Sequence, residues 1–149
     1  MIFNGINNQS VEFKVVNYQF PALRDKDYDG NWLTIYLNVK SEFGDWQVTD
    51  PLLLTWEIED LIEWLMILSR NEKPEYLHQE FIEPNLSFHL LSDSNNAIKE
   101  IKILFQLECV PKNVDGDKEY FVIFEANNEE LKRIAEDLEK ELEKYPIKR

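Results

Sequence analysis

Alternation of apolar residues with polar or amphipathic ones is the feature that most constrains the fold of this chain. Between residues 32 and 39 the positions on one face are Leu33, Ile35, Leu37 and Val39. Successive side chains of a β-strand point to opposite faces, so the pattern predicts a strand with one buried face. Similar patterns predict strands within 11–20, 86–90, 101–109 and 120–124. A one-residue slip at Val16 indicates a β-bulge in the first of these.

Short turns and two helical segments complete the predicted architecture. The turn signals are Asp29-Gly30-Asn31, Phe43-Gly44-Asp45, Asp93-Ser94-Asn95-Asn96 and Asp115-Gly116-Asp117. Strands joined by short turns pair antiparallel. Helical periodicity covers about 55–70 and 128–145. The order strands, helix, strands, helix predicts a single α+β domain over residues 1–149, with a curled antiparallel β-sheet and two α-helices packed on it.

The first predicted helix is apolar on two sides. Its expected core stripe is Ile58, Leu61, Ile62, Leu65 and Leu68. On or near the opposite face lie Trp56, Asp60, Glu63, Trp64 and Ile67. Something must therefore cover the second side as well. Two interpretations remain open: the segment 71–85 of the same chain, or a partner protein that meets tryptophan anchors ringed by carboxylates.

The last predicted helix has a simpler pattern. One apolar stripe runs along it, and the remaining positions carry charges of both signs, which is typical of a solvated face. Asn127 or Asn128 is the expected N-cap, and Pro146 ends the helix.

The negative charge of the chain is concentrated in one stretch. Sixteen Lys and Arg residues stand against 29 Asp and Glu, which gives a net charge of −13. Residues 41–96 contain twelve acidic and two basic residues, and so carry −10 of that total. Binding to nucleic acid or to an anionic membrane requires the opposite sign, so we expect neither. The acidity favours a basic protein partner or a cation.

A possible cation loop lies before the strand at residue 32. The run from Asp25 to Gly30 matches the first half of an EF-hand loop, with carboxylates at Asp25, Asp27 and Asp29. An EF-hand requires a bidentate Glu at the twelfth loop position, which here is Tyr36, so the EF-hand itself is excluded. A looser calcium- or small-ligand-binding loop stays open as an alternative to a simple turn.

Other signals of chemistry are weak. His78 and His89 have no Asp, His or Cys cluster at metal-ligand spacing beside them. Cys109 falls on the apolar face of a predicted strand and is interpreted as an inert core thiol. There is no G-x-S-x-G motif, and no pair of carboxylates stands out for general acid–base work. We therefore assign no catalytic residue, cofactor or further metal site. Without a signal-peptide pattern or an apolar span, we expect a cytoplasmic protein.

Several blocks together resemble a known family, the WapI-family immunity proteins of bacteria. They cover residues 17–21, 28–33, 44–46, 50–57, 64–65, 81–88 and 138–146. The most specific are Leu54-Thr55-Trp56-Glu57 and Glu83-Pro84-Asn85-Leu86. The resemblance implies a protein without catalysis or cofactor that neutralises the C-terminal domain of a contact-dependent polymorphic toxin, often an RNase.

This partner and the charge map together predict the binding residues. A nuclease domain that holds phosphates is usually basic, so its inhibitor can present carboxylates in their place. The predicted binding residues are Trp56, Glu59, Asp60, Glu63, Trp64 and Asp45. A second acidic patch is predicted around Asp25, Asp27, Asp29 and Asp45. The sequence leaves the oligomeric state open.

Overall fold

Four strands followed by a helix occur twice along the chain. The computed structural model describes residues 1–24, 28–112, 114 and 117–149. The first set is β1 (Ile2–Asn4), β2 (Ser10–Tyr18), the single helical turn α1 (Tyr28–Asn31), β3 (Trp32–Ser41), β4 (Gly44–Leu54) and helix α2 (Thr55–Ser69). The second is β5 (His78–Gln79), β6 (Leu86–Leu90), β7 (Ile98–Phe105), β8 (Tyr120–Asn127) and helix α3 (Asn128–Glu143). Consecutive strands pair antiparallel, so the described residues form two four-stranded meanders.

The predicted α+β class, with antiparallel strands and two packed helices, is confirmed. The helices predicted at 55–70 and 128–145 are observed as Thr55–Ser69 and Asn128–Glu143. The strands are divided between two sheets. Alternation along the sequence identifies each strand, but it carries no information on which strands share a sheet.

Strand β3 follows its sequence pattern closely. Its apolar face, Leu33, Ile35, Leu37 and Val39, is fully buried. The predicted bulge in β2 is also confirmed, because the register against β3 shifts between Val15 and Asn17 and leaves Val16 exposed.

Strands β4 and β7 differ from what the sequence pattern predicted. Strand β4 escaped prediction because Pro51 and three consecutive leucines hide its alternation. Strand β7 ends at Phe105, whereas we predicted a strand to Cys109. A 3₁₀ turn, Leu107–Cys109, follows it, and Leu107 has a left-handed φ of 54°. The alternation persists there because the turn returns Cys109 to the core. Burial raises the pKa of the Cys109 thiol to about 12, as expected of an inert core thiol.

One hydrophobic core joins both sheets and both long helices. Phe3 of β1 packs against Phe88 of β6 and Phe124 of β8, with ring centroids 5.6 and 5.4 Å apart. The two helices also pack against each other. These contacts bring the outward faces of α2 and α3 to the same side of the molecule, where the two helices border one groove.

Lys99 connects the end of α2 to the start of α3. Its side chain is fully buried, and its Nζ donates hydrogen bonds to Asn71 Oδ1 and, at 2.8 Å, to Asn128 Oδ1. Asn71 has a left-handed φ of 58° and belongs to the turn that ends α2. In that turn the backbone N–H of Glu72 donates to Ile67 O at 3.2 Å, which is the long bond of a Schellman motif.

Candidate functional site

Helix α2 buries one side in the core and a second side under its own chain. The predicted core stripe is confirmed, since Ile58, Leu61, Ile62, Leu65 and Leu68 are all buried. On the second side, Trp64 is only 4% exposed, and its Nε1 donates to Tyr76 O at 3.0 Å. Of the two interpretations left open by the sequence, the segment 71–85 accounts for the covering of Trp64. That ring is packed within the fold and is not an open anchor.

Glu57 attaches the same segment to the start of α2. Its carboxylate accepts a hydrogen bond from Leu54 N at 3.0 Å and another from Ile82 N at 2.8 Å. Burial raises the pKa of Glu57, while these two backbone bonds oppose the shift and the Asp60 and Glu83 carboxylates add to it. Glu57 therefore has a structural role, although it counts towards the acidic stretch.

The outward face of α2 contains three exposed carboxylates. Glu59, Asp60 and Glu63 lie within a turn of one another, because residues four apart on a helix are neighbours. Partial burial raises the pKa of Asp60, and the Glu63 carboxylate raises it further. Trp56 lies at the start of this face, half-buried, with its ring edge-on to Tyr28 at 5.4 Å. We call these four residues, Trp56, Glu59, Asp60 and Glu63, the α2 face.

Asp45 lies apart from the α2 face. It is exposed near the start of β4, opposite Lys40, at the other end of that strand from α2. Of the second predicted patch, Asp25 and Asp27 lie outside the described residues. Asp29 is exposed on α1, next to Tyr28, which contacts Trp56. The structure thus brings four of the six predicted binding residues to one outward face, buries Trp64 beside it and separates Asp45.

A groove that the sequence did not predict runs along one flank of the α2 face. Its volume is about 700 Å³. We call it the α2–α3 groove. Its lining residues are Glu59, Ile62, Glu63 and Met66 of α2, Arg70 directly after α2, Glu139, Leu142 and Glu143 of α3, and Pro146, Ile147 and Arg149. The glutamates of α3 had been interpreted only as part of a solvated face. No sequence signal connects them to α2, since the two helices meet through tertiary packing.

A smaller cleft lies on the other flank. It has a volume of about 340 Å³ and runs between α2 and the segment that covers Trp64. Asp60 and Glu63 line it together with Glu75 and Tyr76, whose ring is 68% exposed. The α2 face is therefore a ridge with a depression on each side.

The two histidines contact each other, although they lie in different local contexts in the sequence. His78 of β5 pairs with His89 of β6, and their Nδ1 atoms are 2.9 Å apart. Burial lowers the pKa of His89, and the neighbouring His78 and Lys102 lower it further. The two-residue strand β5 is too short for an alternation pattern, so this pair could not be predicted.

Among the described residues, no group of three or more His, Cys, Asp and Glu side chains is arranged to hold a metal ion. The calcium alternative depends on Asp25 and Asp27, outside the described residues, and stays a prediction. The residues that the structure describes include no helix long and apolar enough to cross a membrane.

Comparison with known proteins identifies the family. The model of the immunity protein WapI-like family matches residues 1–146, nearly the whole chain. The chain therefore belongs to this family of immunity proteins, as the sequence blocks had indicated. No curated protein and no solved structure matches it.

Proposed function

We propose that this protein binds the toxic C-terminal domain of a cognate polymorphic toxin in the cytoplasm, and neutralises it without catalysis. The observation that carries the proposal is the α2 face. Its three carboxylates stand exposed beside Trp56, on a helix that packs one side on the core and a second side under residues 71–85. Glu57 and Trp64 make contacts within the fold. The three exposed carboxylates of the α2 face therefore remain for contact with a partner.

Charge complementarity supports a basic toxin domain as the partner. A nuclease, for example an RNase, holds the phosphates of its substrate with Lys and Arg side chains. Carboxylates on a helix can take the places of the substrate phosphates, and they increase the association rate by electrostatic steering. The partly exposed ring of Trp56 supplies an aromatic contact of the kind that contributes most to binding energy.

Co-purification with the toxin domain encoded by the adjacent gene tests the proposal. We expect a one-to-one complex that abolishes the toxic activity and whose association rate falls steeply as salt is raised from about 50 to 500 mM. A toxin domain that neither co-purifies with the chain nor loses activity in its presence would contradict the proposed function.

A further inference from the structure

The α2–α3 groove combines an apolar floor with acidic walls. Ile62 and Leu142 are each 8% exposed and form the deeper part of the floor, while Met66 and Ile147 are half-buried beside them. Its volume of about 700 Å³ lies in the range of concave ligand-binding sites. The groove therefore offers apolar burial as well as charge.

The walls carry two matched pairs of carboxylates. Glu59 and Glu63 lie on α2, and Glu139 and Glu143 on α3, each pair four residues apart. Such residues are about 6 Å apart along the helix axis. The groove thus has a short row of negative charge on each side of its apolar floor.

These four carboxylates are available to a partner. The ion pairs found among the described residues join the amino group of Met1 to Glu141, Arg70 to Glu72, and Lys102 to Glu119, and none includes a groove carboxylate. Arg70 lines the groove, but its Nε lies 3.2 Å from Glu72. Arg149 also lines the groove, so its side-chain carboxylates outnumber its guanidinium groups by four to two, and the lining is negative.

We infer that the α2–α3 groove binds a Lys- or Arg-bearing amphipathic segment of a partner protein, which under the proposed function belongs to the toxin domain. Apolar residues of the segment fill the floor, and the aliphatic stems of its basic residues lie along the walls. Their charged ends pair with the four glutamates. The inference extends the binding surface from α2 to α3 and assigns Glu139 and Glu143 a role in it.

Charge reversal on α3 separates this inference from the proposed function. The variant Glu139→Lys/Glu143→Lys leaves the α2 face intact, and lysines suit the last turns of a helix. The matched control is Glu125→Lys/Glu129→Lys, which makes the same change in net charge at exposed positions outside the groove. Circular dichroism and thermal unfolding establish that both variants fold.

Two probes are titrated by calorimetry against the wild type and both variants. One is the toxin domain; the other is a synthetic helical peptide of about 15 residues with Lys on one face and Leu on the other. We expect the α3 reversal to weaken binding of both probes by on the order of 10-fold or more, and the control to leave it within about 2-fold. Met66→Lys, which places a positive charge on the apolar floor, should weaken both as well.

The outcomes distinguish the two proposals. If the toxin domain binds the wild type and the α3 reversal with equal affinity, the groove inference is overturned and the proposed function stands. If the peptide binds in the groove but the toxin domain does not bind at all, the proposed function fails and the groove remains a site for basic segments. If neither binds, or if the α3 reversal converts a dimer of this chain to a monomer, the groove has another role and the inference is overturned.

Discussion

Helices α2 and α3 have nearly equal lengths, follow equivalent sets of strands and pack against each other, but they are stabilised in different ways. Helix α3 begins with a reciprocal capping box, in which Asn127 Oδ1 accepts from Glu130 N at 2.8 Å and Glu130 Oε1 accepts from Asn127 N at 3.2 Å. Helix α2 begins after Leu54, which offers no side-chain acceptor. There Glu57 caps the backbone and also holds Ile82, far along the chain.

The difference shows which residues of each helix remain for function. Helix α3 has a local N-terminal cap and a single apolar stripe. Helix α2 depends on residues 71–85 for the burial of Trp64 and Glu57. Trp64 and Glu57 thus stabilise the fold, whereas the exposed carboxylates of the α2 face make no such contact with the residues that the structure describes.

The largest expected effect comes from removing the contact between α2 and its cover. Trp64→Ala should lower the free energy of unfolding by about 3–5 kcal/mol, because it leaves a cavity under the segment 71–85. Trp64→Phe keeps a six-membered aromatic ring but loses the five-membered part of the indole and the hydrogen bond to Tyr76 O, so it should cost less than Trp64→Ala. Denaturant unfolding measures both; equal and small losses would show that the ring is not a core element.

The second-largest expected effect comes from removing the Glu57 carboxylate, which accepts hydrogen bonds from Leu54 and Ile82. Glu57→Ala leaves the N–H groups of Leu54 and Ile82 without their partner, and should cost about 2–4 kcal/mol in unfolding free energy. Hydrogen exchange should also accelerate around residue 82, well away from the helix start. If exchange changes only near Leu54, Glu57 is a local cap like that of α3 and the comparison between the helices fails.

Removing the local cap of α3 should lower the free energy of unfolding by less. Asn127→Ala removes one half of the capping box of α3 and should lower the free energy of unfolding by about 1 kcal/mol. Asn127→Ser should recover most of the loss, since serine is also a good N-cap. A penalty for Asn127→Ala as large as that of Glu57→Ala would contradict the view that α3 is the more locally specified helix.

The smallest effect concerns the histidine pair near the cover of α2. Because the pKa of His89 is lowered in the folded protein, the unfolded chain binds more protons near its ordinary pKa of about 6.5. The stability contributed by this group is present above that pH and is lost as the pH falls through the folded pKa. Thermal unfolding from pH 7 to 5 should therefore be less acid-sensitive in His89→Gln than in the wild type; an identical pH dependence would contradict this.

Sequence patterns predicted those structural features that are determined by residues close together in the chain. The alternation of β3, the bulge at Val16 and the Asn127 cap were all readable, since each depends on neighbouring residues. Strand β4 was not, because Pro51 and three leucines hide its alternation, and the 3₁₀ turn at Leu107 was not, because the alternation continues through it. The His78–His89 contact was not, because β5 is too short for a periodic pattern. For the proposed site, the charge map predicted the acids of α2, but the sequence left open what covers Trp64 and did not connect the glutamates of α3 with α2. Both depend on which surfaces meet in three dimensions.

Affinity for the toxin domain after charge reversal on the α2 face tests the central claim most directly. Asp60→Lys/Glu63→Lys should weaken binding by on the order of 10-fold or more, mainly through a slower association rate and with a reduced salt dependence. The control Glu125→Lys/Glu129→Lys, with the same net charge, should stay within about 2-fold of the wild type. Equal affinities for the two variants would contradict the claim that the α2 face binds the toxin.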